Sequence, residues 1–152
     1  MRIRLLFAIL VSSLWFTVQA SESQPAGPRL PKPITVYKSP TCGCCAGWAE
    51  YLEDNGFQVS IVDRHDLSDL KSRHGITPAL RSCHTAIVDG YAIEGHVPAN
   101  DIWRLLKEKP VAAGLTAPGM PSMSPGMNSI EPSGYDVLLY DKSGHTQVYS
   151  RY

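Results

Sequence analysis

The sequence predicts an α/β fold, with strands and helices alternating along most of the chain around a four-stranded mixed sheet. Three observations carry this. Short β-branched and aromatic runs alternate with stretches of helical period. Glycine, proline and Asp/Asn residues punctuate them at short intervals. A cysteine cluster, "TCGCC" over Thr41–Cys45, falls where the first strand gives way to the first helix.

The elements follow in order. Ile34 to Tyr37 (ITVY) reads as a buried strand. From Ala46 the pattern turns helical: Trp48, Ala49 and Leu52 share a face with Cys45, and Gly56 offers a C-cap. Gln58 to Val62 is a second strand. Asp66 to His74 is a short helix, capped by Asp66, ended by Gly75, with Leu67 and Leu70 inward. A loop carrying Cys83 leads to a strand over His84–Val88. Asp89-Gly90 makes a tight turn, and Tyr91–Glu94 is the partner strand. Asn100 caps a last helix with the stripe Ile102, Leu105 and Leu106, closed by Lys109-Pro110. The order β-α-β-α-β-β-α, with a cysteine motif between first strand and first helix, is the thioredoxin-like arrangement, with helices on both faces of the sheet.

Beyond Pro110 the composition changes. "APGMPSMSPGM" is rich in proline, glycine, serine and methionine and reads as a loop up to Gly134. Tyr135–Tyr140 and Thr146–Tyr149 read as two strands joined by "DKSG", either extending the sheet edge or forming a separate hairpin. The chain accordingly divides into a signal peptide (1–20), a proline-bearing leader (21–33), a thioredoxin-like metal-binding domain (34–109), and a Met-rich loop with a terminal hairpin on the same domain (110–152).

The N-terminus sets the compartment. Arg2 and Arg4 precede the apolar stretch Leu5–Val18, and Val18 and Ala20 are the small residues of a cleavage site. Export follows, with the membrane met only through the signal peptide. Removing Arg2 and Arg4 leaves 12 basic against 14 acidic side chains, a net charge of −2. No basic run stands out, which argues against a nucleic-acid surface, and no phosphate-binding loop or dinucleotide fingerprint is present.

Export changes what four cysteines mean, because disulfides persist in an oxidising compartment. Three readings compete. Structural bridges, Cys42–Cys45 and Cys44–Cys83, are disfavoured: a bridge across two intervening residues constrains little chain. A thiol–disulfide oxidoreductase would use Cys42 and Cys45 as a C-x-x-C pair, with Cys44 as a competitor. A soft-metal site would use Cys42, Cys44, Cys45 and Cys83 together. The cluster lies at a helix start, where unpaired N–H groups and a partial positive charge favour thiolates, and Gly43 permits a sharp turn or close approach. Cys44 and Cys45 lie about 100° apart around a helix, an arrangement better suited to sulfur-bridged Cu(I) ions than to one tetrahedral zinc.

Further donors lie nearby. Met120, Met123 and Met127 fall in one loop, and thioether sulfur is a soft ligand; their alternative role is packing. His84 follows Cys83 and, on a continuous strand, would face the opposite side. His96, in "EGHVP", ends the second hairpin strand. His65, His74 and His145 read as surface residues, and Asp63 and Asp66 as caps.

"TCGCC", "SCHTAIVDGYAIEGHVPA", "GLTAPGMPSMSPGM" and "YDVLLYDKSGH" together resemble the CopG-type periplasmic copper-resistance proteins, over about Pro33 to Tyr152. The resemblance implies a thioredoxin-like fold, a periplasmic location and copper bound by Cys42, Cys44, Cys45 and Cys83, with His84, His96 and the Met loop in family motifs. "MPSMSPGM" departs from the family where a second glycine-bearing turn is common, which makes Met123 the least secure soft ligand. An efflux system is the partner the resemblance implies. The expectation is therefore a periplasmic copper-binding protein that captures Cu(I), as a multinuclear thiolate-bridged cluster, for copper tolerance. A metal-binding role is expected ahead of catalysis, and a metal-free oxidoreductase using Cys42 and Cys45 is the alternative.

Overall fold

A computed structural model describes residues 30–127, 129 and 133–152. The expected signal peptide (1–20) and most of the expected leader lie outside the described residues. The leader's last two residues, Lys32 and Pro33, belong to the first strand.

The described elements are β1 (Lys32–Lys38), α1 (Gly43–Asp54), β2 (Phe57–Asp63), α2 (Ser68–Arg73), a 3-10 turn (Pro78–Leu80), β3 (Thr85–Val88), β4 (Tyr91–Glu94), α3 (Ala99–Glu108), β5 (Gly114–Thr116), β6 (Asp136–Tyr140) and β7 (Thr146–Arg151). They build a mixed sheet in the order β2-β1-β3-β4-β5-β6-β7. Strand β1 runs parallel to β2 and antiparallel to β3, and β3 and β4 form the hairpin anticipated at Asp89-Gly90.

The sheet has seven strands, not four. β5 lies parallel to β4 and antiparallel to β6, so the C-terminal hairpin extends the sheet edge through it. β5 has three residues inside a stretch that reads as loop. Three residues are too short for a period, and what makes them a strand is the backbone of β4 on one side and β6 on the other.

Side chains alternate across the sheet, and two cores result. Ile34, Val36, Ala86, Val88, Ile93, Leu115 and Val137 face Trp48 and Leu52 of α1 and Ile102, Leu105 and Leu106 of α3. On the other face, Ala92, Tyr140, Ile87 and Leu138 meet Ile76 and Leu80 around the 3-10 turn. Helical segments thus cover both faces. The buried face of α1 is Cys45, Trp48, Ala49 and Leu52, as the period predicts.

Several boundaries differ from expectation: α2 is shorter (Ser68–Arg73, with Leu67 at its N-cap), and two helix starts shift. α1 begins at Gly43, a turn before Ala46, because Cys42 already occupies the N-cap. α3 begins at Ala99 with Pro98 at its N-cap, and Asn100 lies within the helix, exposed. The Ala99 amide donates instead to the Tyr51 hydroxyl of α1 (3.1 Å), a cap no local pattern reveals. At the far end of the chain, Asp101 accepts from Ser150 Oγ and from the Tyr152 hydroxyl (2.9 Å), which ties β7 to α3. Among the described residues no helix is long and apolar enough to cross a membrane.

Candidate metal centre

Four segments converge at one end of the sheet. The first is the start of α1, which follows directly on β1. Cys42 is the N-cap in extended conformation (φ −82°, ψ 98°), so Cys44 and Cys45 lie in the first helical turn, among its free N–H groups. Cys42 and Cys45 are joined as a disulfide, with Cα atoms 5.4 Å apart. Cys44 and Cys83 are free thiols, both half-buried. Cys45 is buried.

The second segment is the bend before β3. It brings Cys83 Sγ to 3.4 Å from Cys45 Sγ, while Cys42 Sγ and Cys44 Sγ lie 3.5 Å apart. All four sulfurs fall within 4.8 Å of one another. The helical angle between Cys44 and Cys45 therefore does not separate their sulfurs beyond the reach of one small centre.

The third segment is the exit of β4. His96 Nε2 lies 3.4 Å from Cys83 Sγ, and His96 Nδ1 lies 2.7 Å from the Pro125 carbonyl. The carbonyl can only accept, so it holds the proton on Nδ1 and leaves the Nε2 lone pair turned to the sulfur. His84 Nδ1 is also 3.4 Å from Cys83 Sγ. This corrects the expectation of opposite faces: β3 starts at Thr85, so strand alternation does not apply at Cys83 and His84. Cys83, His84 and His96 form a second group whose donor atoms lie within 4.8 Å of one another. His84 is wedged between Trp48 and His96, with ring centroids 4.4 and 4.9 Å away. Trp48 in turn donates from Nε1 to the Val97 carbonyl (2.9 Å), joining α1 to the His96 segment.

The fourth segment is the Met loop. Gly126 lies directly on α1 with φ +81°, and a Cβ there would stand 2.5 Å from Trp48 N. The loop can approach this closely only as glycine. Met120 and Met123 are exposed, at 58% and 48%, and Met127 is half-buried. Met123 shares a groove with Tyr135 and Tyr152.

Burial governs the electrostatics. It pushes the Cys83 thiol above its ordinary range; the Ser82 hydroxyl works against the shift and Cys44 adds to it. It holds His84 well below the usual imidazole value, helped by His96 and Lys71, and lowers His96, against the Pro125 hydrogen bond. Neutral imidazoles are ligand-competent, whereas a protonated thiol must lose its proton to bind metal.

Two solved structures resemble the chain. One is described as "Copper resistance protein copG- Form 1", at 41% identity and a TM-score of 0.75, the match covering 80% of this chain and 98% of that one. The chain belongs to the CopG-type copper-resistance family. The second structure, "Copper resistance protein copG- Form 2", matches with the same identity and coverage and a TM-score of 0.76. A family model described as a protein of unknown function, DUF411, matches residues 80–127. That span holds Cys83, His84, His96 and the Met loop of the CopG-type chain. No curated protein matches it. The cysteine cluster fits copper handling in this family.

Sequence reasoning missed three features of the CopG-type site. Gly43 is helical and exposed, and a Cβ on it would meet nothing within 4 Å, so the expected sharp turn is absent there. Pro125 emerges as the orienting partner of His96. Beneath Cys83 lies a buried ion pair, Lys71 with Glu94. An acid closing the apolar strand "YAIE" was a signal that it needed a partner. Of the remaining histidines, His65 and His145 are exposed and His74 is half-buried; Asp63 pairs with Lys38 (3.1 Å) and Asp66 accepts from the Ser68 amide (2.8 Å).

Proposed function

We propose that the protein is a periplasmic copper-binding protein of copper tolerance that captures Cu(I) as cargo through the thiolates of Cys42, Cys44, Cys45 and Cys83. The observation that carries this reading is the gathering of four sulfurs, from segments 38 residues apart in sequence, within 4.8 Å of one another. Thiolates select soft ions, and Cu(I) accepts two- and three-coordinate sites in which sulfurs bridge neighbouring ions. His96 and His84 are the secondary donors, and Met120, Met127 and Met123 are further soft donors carried by the loop that Gly126 seats on α1. The pairing β2-β1-β3-β4 with α1 to α3 supports a thioredoxin-like unit over 34–109, to which residues 110–152 add the Met loop and three further strands.

The reduced protein is the binding form. Oxidation of the Cys42 and Cys45 thiolates by an external disulfide moves two electrons to that disulfide, whose S–S bond breaks and whose halves leave as two thiolates, and closes the Cys42–Cys45 bond. Two ligands are then lost and copper is released, to components of an efflux system.

The test is an anaerobic Cu(I) titration of the reduced mature chain, with metal counted per chain. Tight binding that is lost in Cys44→Ser and in Cys83→Ser is expected. Undiminished binding in either variant, or none in the wild type, would sink the four-thiolate reading. One observation favours a second reading: the Cys42–Cys45 disulfide at a helix N-terminus is also the arrangement of a metal-free thiol–disulfide oxidoreductase. That activity would survive Cys44→Ser and would be indifferent to copper.

A further inference from the structure

We infer that Lys71 and Glu94 are positioning residues for Cys83: a buried ion pair that grips the peptide groups on either side of the Ser82 Cα and so sets the Cys83 sulfur against Cys45. This rests on the proposed role of Cys83 in holding copper.

The geometry is closed on every side. Glu94 has no solvent exposure and Lys71 has 6%. The Lys71 ammonium donates to Glu94 Oε1 and to the Ser82 carbonyl (3.1 Å). Glu94 Oε1 also accepts from the Ser82 amide (2.6 Å), and Glu94 Oε2 accepts from Thr85 Oγ1 (2.6 Å). The donor and the acceptor of Ser82 are thus each held by one member of the same pair. Ser82 Oγ donates to the Gly119 carbonyl, and the Gly119 amide donates to Arg81 (2.9 Å), so the grip reaches the start of the Met loop.

Stability alone does not explain such a pair. A buried ion pair is commonly no more stabilising than apolar side chains of the same volume. What this one supplies is direction. Residues 81–84 belong to no strand, Ser82 makes only an isolated parallel bridge with Gly119, and Cys83 is a bend residue with no ladder to fix its torsions. Two opposed charges from α2 and β4 replace the ladder and orient the peptide immediately before the thiol. Groups behind a metal ligand of this kind set its affinity by fixing its direction.

The experiment reads sulfur placement directly, without copper. In a Cys42→Ser/Cys44→Ser chain, Cys45 and Cys83 are the remaining cysteines, and mild oxidation with a small disulfide joins them at a rate that reports their proximity. Adding Lys71→Met with Glu94→Gln, which removes both charges and leaves none stranded, is expected to slow this cross-link several-fold. In the otherwise native reduced chain the same pair is expected to weaken Cu(I) binding by about tenfold, measured against a chromophoric chelator. Ile102→Val serves as the control: it lowers the melting temperature without changing either readout. Should the double variant fail to fold, Thr85→Val, which removes one bond to Glu94, is expected to slow the cross-link by a smaller factor. A folded variant that cross-links at the parent rate overturns the inference. A wild type that binds no Cu(I) overturns the proposed function instead, and the cross-link still decides the positioning.

Discussion

Replacing Gly126 by alanine tests whether the Met loop is seated on the cysteine helix. A Cβ at Gly126 would lie 2.5 Å from Trp48 N, 2.8 Å from Trp48 Cα and 3.0 Å from the Cys44 carbonyl. These are backbone atoms of a helix whose other face is core, so they cannot yield. The residue also sits at φ +81°, which costs an L-residue about 1–2 kcal/mol. The cheapest relief is for the loop to lift, and lifting breaks the bond between His96 Nδ1 and the Pro125 carbonyl (2.7 Å). That bond is worth about 1 kcal/mol net. The expected loss is therefore about 2–3 kcal/mol, or roughly 5–12 °C in melting temperature for a domain of this size. The assay is urea unfolding of the oxidised protein, followed by fluorescence, with the His96 imidazole resonances as a local reporter. A variant within about 0.3 kcal/mol of wild type, inside the usual scatter for a surface change, with unmoved His96 signals, would refute the packing of Gly126 on Trp48.

Three further outcomes are expected. Gly43→Ala adds a methyl where nothing lies within 4 Å and should raise stability by up to about 1 kcal/mol through helix propensity; a loss in urea unfolding would contradict the helical start at Gly43. Asp101→Ala removes the acceptor shared by Ser150 Oγ and the Tyr152 hydroxyl, while Ser150 Oγ keeps its bond from Arg104 Nη2 (2.8 Å), and should cost about 1 kcal/mol while leaving Cu(I) binding intact; hydrogen exchange should show β7 loosened ahead of the rest. Burial raises the Cys83 thiol and lowers both His84 and His96, so near neutral pH the imidazoles are already neutral and the thiol must release its proton. Apparent Cu(I) affinity should accordingly rise with pH, by about one decade per pH unit for each proton displaced, and a flat profile between pH 6 and 8 would be incompatible with the buried thiol.

Much of this was readable in the chain. The runs ITVY and YAIE, the turn at Asp89-Gly90 and the stripe Ile102-Leu105-Leu106 marked their elements because each satisfies its own period and its own turn chemistry. The clustering of Cys42, Cys44 and Cys45 at a strand-to-helix junction is likewise local, since three adjacent thiols cannot be far apart in any fold. β5 was not readable, because three residues become a strand only when neighbouring backbones offer them partners. Nor was the direction of His84, which depends on where β3 begins rather than on the residue beside it.

The sequence by itself determined the ingredients: the soft donors, the alternation of strand and helix, and the helix start that favours thiolates. Only the tertiary structure decided that Cys83 closes on Cys45, that Pro125 turns His96 toward the sulfur, and that Lys71 and Glu94 hold the Ser82 backbone between them. The reason is physical. Local pattern is governed by torsions and side-chain period within a few residues, whereas a site assembled from four segments depends on which buried polar groups find each other once the sheet has formed.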